Sequence, residues 1–397
     1  MKKLKAAMLA AAFTTTLAYP AVSKAGITVL EDGDKFLAFG GTIQVQYHLT
    51  DEDTDSPDDV TTDELFFRRF RPYIEGSLHK DWKGKFEIDF GKAVDTNEVS
   101  VKDAFMEYTG FKNDSAQLVI KIGNTHTPFS REVLTSSKTQ QLVERTFVGD
   151  HDYGTPERNL GVHVTGALLD KKLTFGVSGA SASIDPDSKK LDFDSPVNRD
   201  TDFNQGWLVG GRVDVHPLGN LKFSQADFDR KIKFTAGAAA FAWQNDDDNN
   251  TYTSAVTGLD TSAGKKPDVE SVSGFEASAG VRGYGVSIDG QYNRFNADTV
   301  DSTVTAGIFK DGETTLENWA VEGGVMVWPG YVEIVGGYEE QDADNYMVPW
   351  KRASGGVNFY IKKHDVKLQT TYSVNRNVNG VEDEDLNEFY AQAQYVF

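Results

Sequence analysis

From about residue 36 to the last residue, apolar side chains recur at every second position, the period of a strand with unlike faces. Leu37, Phe39, Ile43, Val45, Tyr47 and Leu49 share one phase, and Thr42, Gln44, Gln46 and His48 the other. Trp82, Phe86, Ile88 and Phe90 oppose Lys83, Lys85, Glu87 and Asp89, so the second face of that segment is wet. Trp207, Val209, Val213 and Val215 oppose Arg212, Asp214 and His216, and Val366, Leu368 and Tyr372 oppose Lys367, Gln369 and Ser373. Helical periodicity is confined to residues 128–145.

Sixteen such segments are predicted, at 36–49, 65–79, 82–92, 99–109, 116–125, 159–169, 171–181, 207–216, 231–243, 270–282, 284–295, 316–328, 331–340, 350–362, 364–374 and 386–397. Short connections (His79 to Asp81, Asp170-Lys171, Gly283, Pro329-Gly330, Lys362-Lys363) alternate with long ones near 50–64, 126–158, 183–206, 244–269, 296–315, 341–349 and 375–385. The turn from His216 to Arg230 is longer than this scheme expects. A soluble sandwich would also alternate, but its loops need not. An even number of strands with short turns at one end and long loops at the other fits a transmembrane barrel, whose closure satisfies every backbone group in lipid. The predicted fold is all-β, a sixteen-stranded antiparallel transmembrane β-barrel.

Composition narrows the function. The chain has 397 residues, 40 basic and 60 acidic, and no cysteine, which excludes disulfide scaffolds, thiolate metal sites and thiol catalysis. Its net charge of −20 argues against a nucleic-acid partner. No run of about 18 uncharged apolar residues could span a bilayer as a helix. Lys2, Lys3 and Lys5, then a short apolar stretch and Ser23-Lys24-Ala25, read as a signal peptide over residues 1–25. Removing its four lysines leaves 36 basic against 60 acidic residues from Gly26 onward, a net charge of −24. The expected organisation is this peptide followed by one barrel, residues 26–397.

Acidic residues gather in the long loops: Asp51, Glu52, Asp53, Asp55, Asp58, Asp59, Asp63 and Glu64, then Asp246 to Asp248, Glu339, Glu340 and Glu382 to Asp385. They read as solvated loops, or as carboxylates bridged by divalent cations to anionic outer-membrane glycolipid such as lipopolysaccharide. Cations sit elsewhere. In 65–79, Phe66, Phe70, Ile74 and Leu78 turn Arg69, Arg71, Tyr73 and Glu75 to the wet face, whereas Arg68 falls on the apolar phase and requires a bulge, an interfacial position or a slip near Pro72. Arginines lining a narrow wet channel hold anions by charge-assisted hydrogen bonds; the bland alternative is an ion-pair lattice with Glu87, Asp89 and Glu107. Lys121 lies on the wet phase of its strand. The connection 126–158, with Arg131, Lys138, Glu144, Arg145 and Arg158, is long enough to be functional and is expected to fold inward and narrow the lumen. The candidate anion-binding, pore-lining set is therefore Arg68, Arg69, Arg71, Lys121, Arg131, Arg145 and Arg158.

Enzymatic readings find little support. The seven histidines are scattered, and His126 and His151 share a loop without a nucleophile motif or metal-ligand spacing. Gly280 to Gly285 reads Gly-x-x-Gly-x-Gly, the wrong order for a dinucleotide fold. No catalytic residue, metal or cofactor is expected.

Phe67-Arg68-Arg69, Asp81-Trp82-Lys83, the run Asp103 to Phe111, Leu134-Thr135-Ser136-Ser137-Lys138, Leu142-Val143-Glu144-Arg145 and terminal Gln394-Tyr395-Val396-Phe397 resemble the phosphate-selective porin O and P family, most specifically over residues 65–165. The resemblance implies a homotrimeric outer-membrane barrel of a Gram-negative bacterium with an inward loop and an arginine-lined anion path, with Arg68, Arg69 and Arg145 as pore arginines. The terminal aromatic resembles the signal by which barrel-assembly machinery recognises its clients. The dense mid-barrel arginine run of phosphate-selective members is missing: residues 207–294 hold only Arg212, Arg230, Arg282 and Arg294, and Lys35 alone stands for the N-terminal lysine cluster. The expected function is passive diffusion of small hydrophilic solutes, inorganic anions such as phosphate, with a weakly selective or cation-leaning porin as the alternative.

Overall fold

The computed structural model describes residues 26–397 except 54–59, 92–98, 114, 186, 199–203, 247–250, 254–259 and 263–266; the expected signal peptide lies outside the described residues. Each of the sixteen alternating segments forms a strand, and each pairs antiparallel with its neighbours. In chain order they are β1 (Lys35–Asp53), β2 (Val60–His79), β3 (Trp82–Asp89), β4 (Ser100–Lys112), β5 (Gln117–His126), β6 (Arg158–Leu168), β7 (Leu173–Asp185) and β8 (Gln205–Val215). The second half comprises β9 (Lys233–Asn245), β10 (Val269–Gly283), β11 (Val286–Thr299), β12 (Glu313–Trp328), β13 (Val332–Ala343), β14 (Trp350–Lys362), β15 (Val366–Arg376) and β16 (Asp385–Val396). The cylinder closes where β1 pairs with β16, from Thr42 opposite Val396 to Asp53 opposite Asp385. A barrel so closed has no edge to satisfy in lipid.

The seam is completed by the termini. Gly41 and Phe397 exchange backbone hydrogen bonds of 3.0 and 3.1 Å, and beyond them the short strand Ile27–Asp32 folds back on the start of β1. A Cβ on Gly41 would sit 2.8 Å from the Phe397 ring, so the terminal aromatic needs glycine there.

The outward phase carries Leu37, Phe39, Phe70, Ile74, Phe86, Ile122, Val162, Trp207, Phe275, Val321, Phe359 and Leu368, all exposed. Only a lipid-facing wall leaves so many large apolar side chains uncovered at alternate positions. The inward phase buries Thr42, Gln44, Gln46, Glu87, Asp89, Glu107, Gln369, Gln392 and Gln394.

Three features of the interior differ from the simple alternating scheme. The inner face is not wet all round. Leu208, Phe241, Trp243, Val272, Phe295 and Leu316 point inward and form a dry core with Leu191, Phe193, Ile308 and Phe309 from the connections above them and Phe129 from the inward loop. Long connections folding back over the wall exclude water there, and aromatic inward positions then gain burial rather than lose hydration. Second, the long turn after β8, residues 216–232, also folds inward, with Phe228 packed edge-on to Tyr360. Third, Glu339, grouped with the loop acids by sequence, lies on β13, 2% exposed, and pairs with Arg352 at 2.5 Å.

Candidate functional site

The connection between β5 and β6, residues 127–157, enters the lumen and is held there from both ends. Its α-helical turn, α1 (Arg131–Leu134), starts at Ser130, whose hydroxyl accepts the Val133 N–H. The loop's polar backbone then lies against the inward phase of the wall. Asn293 Nδ2 donates to the Val148 carbonyl at 2.9 Å, Asn358 Nδ2 to that of Gln141 at 2.9 Å, Lys367 Nζ to that of Gln140 at 2.8 Å, and Gln394 Nε2 to that of Lys138 at 3.0 Å. An amide-rich wall from β11 round to β1 thus supplies the donors that a buried loop's carbonyls require. The opposite wall, β2 to β6, keeps open space in front of it.

Residues 216–232 brace the loop from below. Gln225 N–H donates to the Thr139 carbonyl at 3.1 Å, and the Gln225 Oε1 accepts the Gln141 N–H at 2.6 Å. Both inward segments lie on the same side, so the remaining path is eccentric.

Along it lie three adjoining cavities, a narrow part and two lobes, which share Asp103 in their walls. The narrow part, about 180 Å³, lies between Ser136, Ser137, Lys138 and Arg145 of the loop and Arg71, Lys85, Glu87, Asp103, His126 and Arg158 of the wall, with Glu157 beside them. Toward the short-turn end it opens into a charged lobe of about 560 Å³, with Lys83, Lys85, Glu107, Lys121 and Tyr73 on its walls. The second lobe, about 500 Å³, has Val119, Leu134, Leu221 and Phe223 among its walls.

The wall's charges form a lattice. Arg71 meets Asp89 at 2.6 Å, Lys85 meets Glu87 at 2.8 Å and Asp103 at 2.6 Å, and Arg158 meets Asp103 at 2.9 Å and Glu157 at 2.6 Å. Lys83 and Lys121 flank Glu107 at 3.2 and 3.7 Å. Lys102 and Lys138 have no ion-pair partner among the described residues. Burial opposes ionisation of the Glu157 carboxyl, yet Arg158, Lys102 and Arg145 outweigh it and hold its pKa well below the usual range. Burial pulls the Lys138 ammonium below the ordinary lysine value, with Glu87 the largest opposing charge.

The seven residues singled out by sequence divide by position. Arg71, Lys121, Arg145 and Arg158 line the open space. Arg68 turns inward through a bulge, since Gln44 opposes Arg69 while Val45 opposes Phe67, and its guanidinium grips Glu144 of the loop. Arg69 is 4% exposed and donates to Gln44 at 2.8 Å. Arg131 is buried on the far side, bonded to Asp289 at 2.7 Å and stacked over Phe223. Lys85, Lys138 and Asp103 line the path without having been singled out, and Lys102 lies beside it in a small cavity with Glu157 and Arg158. Alternation places Lys85 and Asp103 inward, but Lys102 arrives there through a second bulge, where Lys102 and Asp103 together oppose Glu87.

Residues 39–209 match the family model for phosphate-selective porin O and P. Over this stretch the chain is similar to that family. Solved porin structures agree in fold: OmpT of Vibrio cholerae in its trimer form (13% identity, 91% of this chain and 99% of that one, TM-score 0.54), Salmonella typhi OmpF in complex with daunomycin (14%, 93% and 100%, 0.56) and the anion-selective porin from Comamonas acidovorans (11%, 91% and 100%, 0.56). A comparison with curated proteins finds no match. The family and the closed barrel agree with the outer membrane of a Gram-negative bacterium as this porin's location.

Proposed function

We propose that this porin is a passive diffusion channel for small hydrophilic solutes with a mild preference for inorganic anions. The observation that carries this is the narrow part of the path, lined by Arg71, Lys85, Lys138, Arg145 and Arg158 against Glu87, Asp103 and Glu157, with Asp89 behind Arg71, five cations against four acids. A surplus of cations in a confined wet space lowers the entry barrier for anions, while ion pairing keeps their binding weak enough for release.

The same geometry argues against tight phosphate selectivity. Bidentate recognition of an oxyanion needs a free guanidinium fork, and Arg71 and Arg158 are each held by a carboxylate. The cation of the narrow part without an ion-pair partner among the described residues is Lys138, a point charge. Phosphate then passes as one anion among several. Among similar structures an OmpT trimer and an anion-selective porin support a homotrimer with this preference. Lipid and lipopolysaccharide around the barrel, and the assembly machinery at the terminal Phe397, complete the proposed partners; the pore needs no cofactor and performs no catalysis.

The deciding experiment is the reversal potential of single channels in a potassium chloride gradient. An anion-leaning sign that moves toward zero in Arg71→Ala supports the proposal. A cation-leaning wild type, the alternative favoured by the −24 mature charge, rejects it. Phosphate that blocks chloride current at micromolar concentration would reject the absence of tight phosphate selectivity.

A further inference from the structure

Asp103 lines all three parts of the path: the narrow part, the charged lobe and the second lobe. It projects from β4 beside the bulge at Lys102, which brings two consecutive residues to the lumen instead of one. One oxygen of its carboxylate accepts from Lys85 Nζ at 2.6 Å and the other from Arg158 Nε at 2.9 Å. One anion thus holds two cations where the three cavities adjoin.

We infer that Asp103 is the residue that limits this porin's preference for anions, a charge mask over Lys85 and Arg158. The inference rests on the anion-leaning reading of the same lumen and deepens it by naming what sets the strength of the preference. Arg158 keeps Glu157 as a second partner and Lys85 keeps Glu87, so the three acids together screen the cations closely. Among them Asp103 alone reaches both lobes. Its removal therefore changes the potential in all three cavities, whereas loss of Glu157 acts on the narrow part. Asp103 touches Lys85 and Arg158 rather than a free amide of the wall, so neutralising it leaves the inward loop's carbonyl contacts intact.

The test is Asp103→Asn, measured as the reversal potential in a potassium chloride gradient beside the wild type, with folding checked by gel mobility before and after heating. A unit charge about 5 Å from a passing ion in a water-filled lumen alters its weight roughly fourfold. Chloride gains that factor and potassium loses it, so the chloride-to-potassium permeability ratio should rise roughly sixteenfold. Asp103→Glu, which keeps the charge, should stay within twofold of the wild type. Where the amide variant does not fold, Asp103→Ser leaves room for water between Lys85 and Arg158 and carries the same expectation. A folded neutral variant whose ratio is unchanged, or shifts toward potassium, overturns the mask. The wild-type sign reports separately on the proposed function: a cation-leaning wild type with an anion-ward shift in the variant would reject that reading and keep the mask.

Discussion

Arg68 Nε lies 2.7 Å from Glu144 Oε1 and its Nη2 lies 2.9 Å from Oε2, a fork-to-fork pair between β2 and the inward loop. Gln46 Nε2 adds a third bond to Glu144 Oε1 at 2.9 Å. Burial alone would raise the Glu144 carboxyl, but Arg68 reverses the shift and holds it below the ordinary carboxylate range. This is the loop's tie to the open side of the barrel, so its strength governs how far the loop can lift into the path.

Glu144→Gln should therefore loosen the loop. The Arg68 guanidinium keeps one neutral partner and loses its charge-assisted fork, a cost of about 1–3 kcal/mol. Single-channel recordings should show more open-state noise. The wild type should show the same loosening in acid. A carboxyl with a depressed folded pKa contributes stability that is present above about pH 4.5, its unfolded value, and lost as pH falls through the folded one. Quiet wild-type channels at pH 3 would contradict the assignment.

Glu132 in the same loop predicts the opposite slope. It is buried beneath the loop, and burial pushes its carboxyl up to about 7 although Thr146 donates to it from both backbone and hydroxyl. A raised folded pKa means stability that is full below about pH 4.5 and lost as pH rises through about 7. Glu132→Gln should remove that dependence, leaving a loop whose thermal stability is flat between pH 5 and pH 8. A wild type already flat across this range would count against the buried, protonated carboxyl.

Lys138 and Arg71 both face the narrow part but differ in their partners. Lys138→Gln should shift the reversal potential toward potassium, roughly sixteenfold in permeability ratio for a unit charge about 5 Å from the ion, with thermal stability nearly unchanged because no carboxylate is left behind. Arg71→Ala should shift it the same way and also cost about 3 kcal/mol or more, since Asp89 then stays buried without its cation. Equal losses of stability in the two variants would refute the distinction.

The sequence made the wall legible and the interior only partly so. Period-two phase marks Phe39, Trp207 and Leu368 as lipid-facing and Gln44, Lys85 and Arg71 as inward, because the lipid enforces one face along every strand. It cannot reveal a bulge. Arg68 and Lys102 both reach the lumen through one, and in each case a single extra residue reverses the phase. Nor can it reveal a fold-back that makes inward positions dry. Phe241 and Trp243 look like lumen residues of the wrong polarity until Phe193, Ile308 and Phe309 are seen above them. The long turn at 216–232 was visible as an excess of length, but the clasp of Gln225 on Thr139 and Gln141 depends on two segments 84 residues apart in sequence.

The dry core and the path occupy different sides of one cylinder, and this separation predicts that stability and selectivity can be altered independently. Trp243 is 2% exposed, and its Nε1 donates to the Ala182 carbonyl at 3.0 Å. Trp243→Ala removes a buried aromatic and leaves that carbonyl without its partner, a loss of about 3–5 kcal/mol. Trp243 projects from β9, whereas the narrow part is bounded by β2 to β6 and the loop, so the reversal potential should stay at the wild-type value while the unfolding temperature falls. Phe193 and Phe241 pack edge-on across the same core, so Phe241→Ala, also on β9, should repeat the pattern. A change of selectivity in either variant that keeps a folded barrel would show that ions cross the far half as well, and that the eccentric path is not the conducting one.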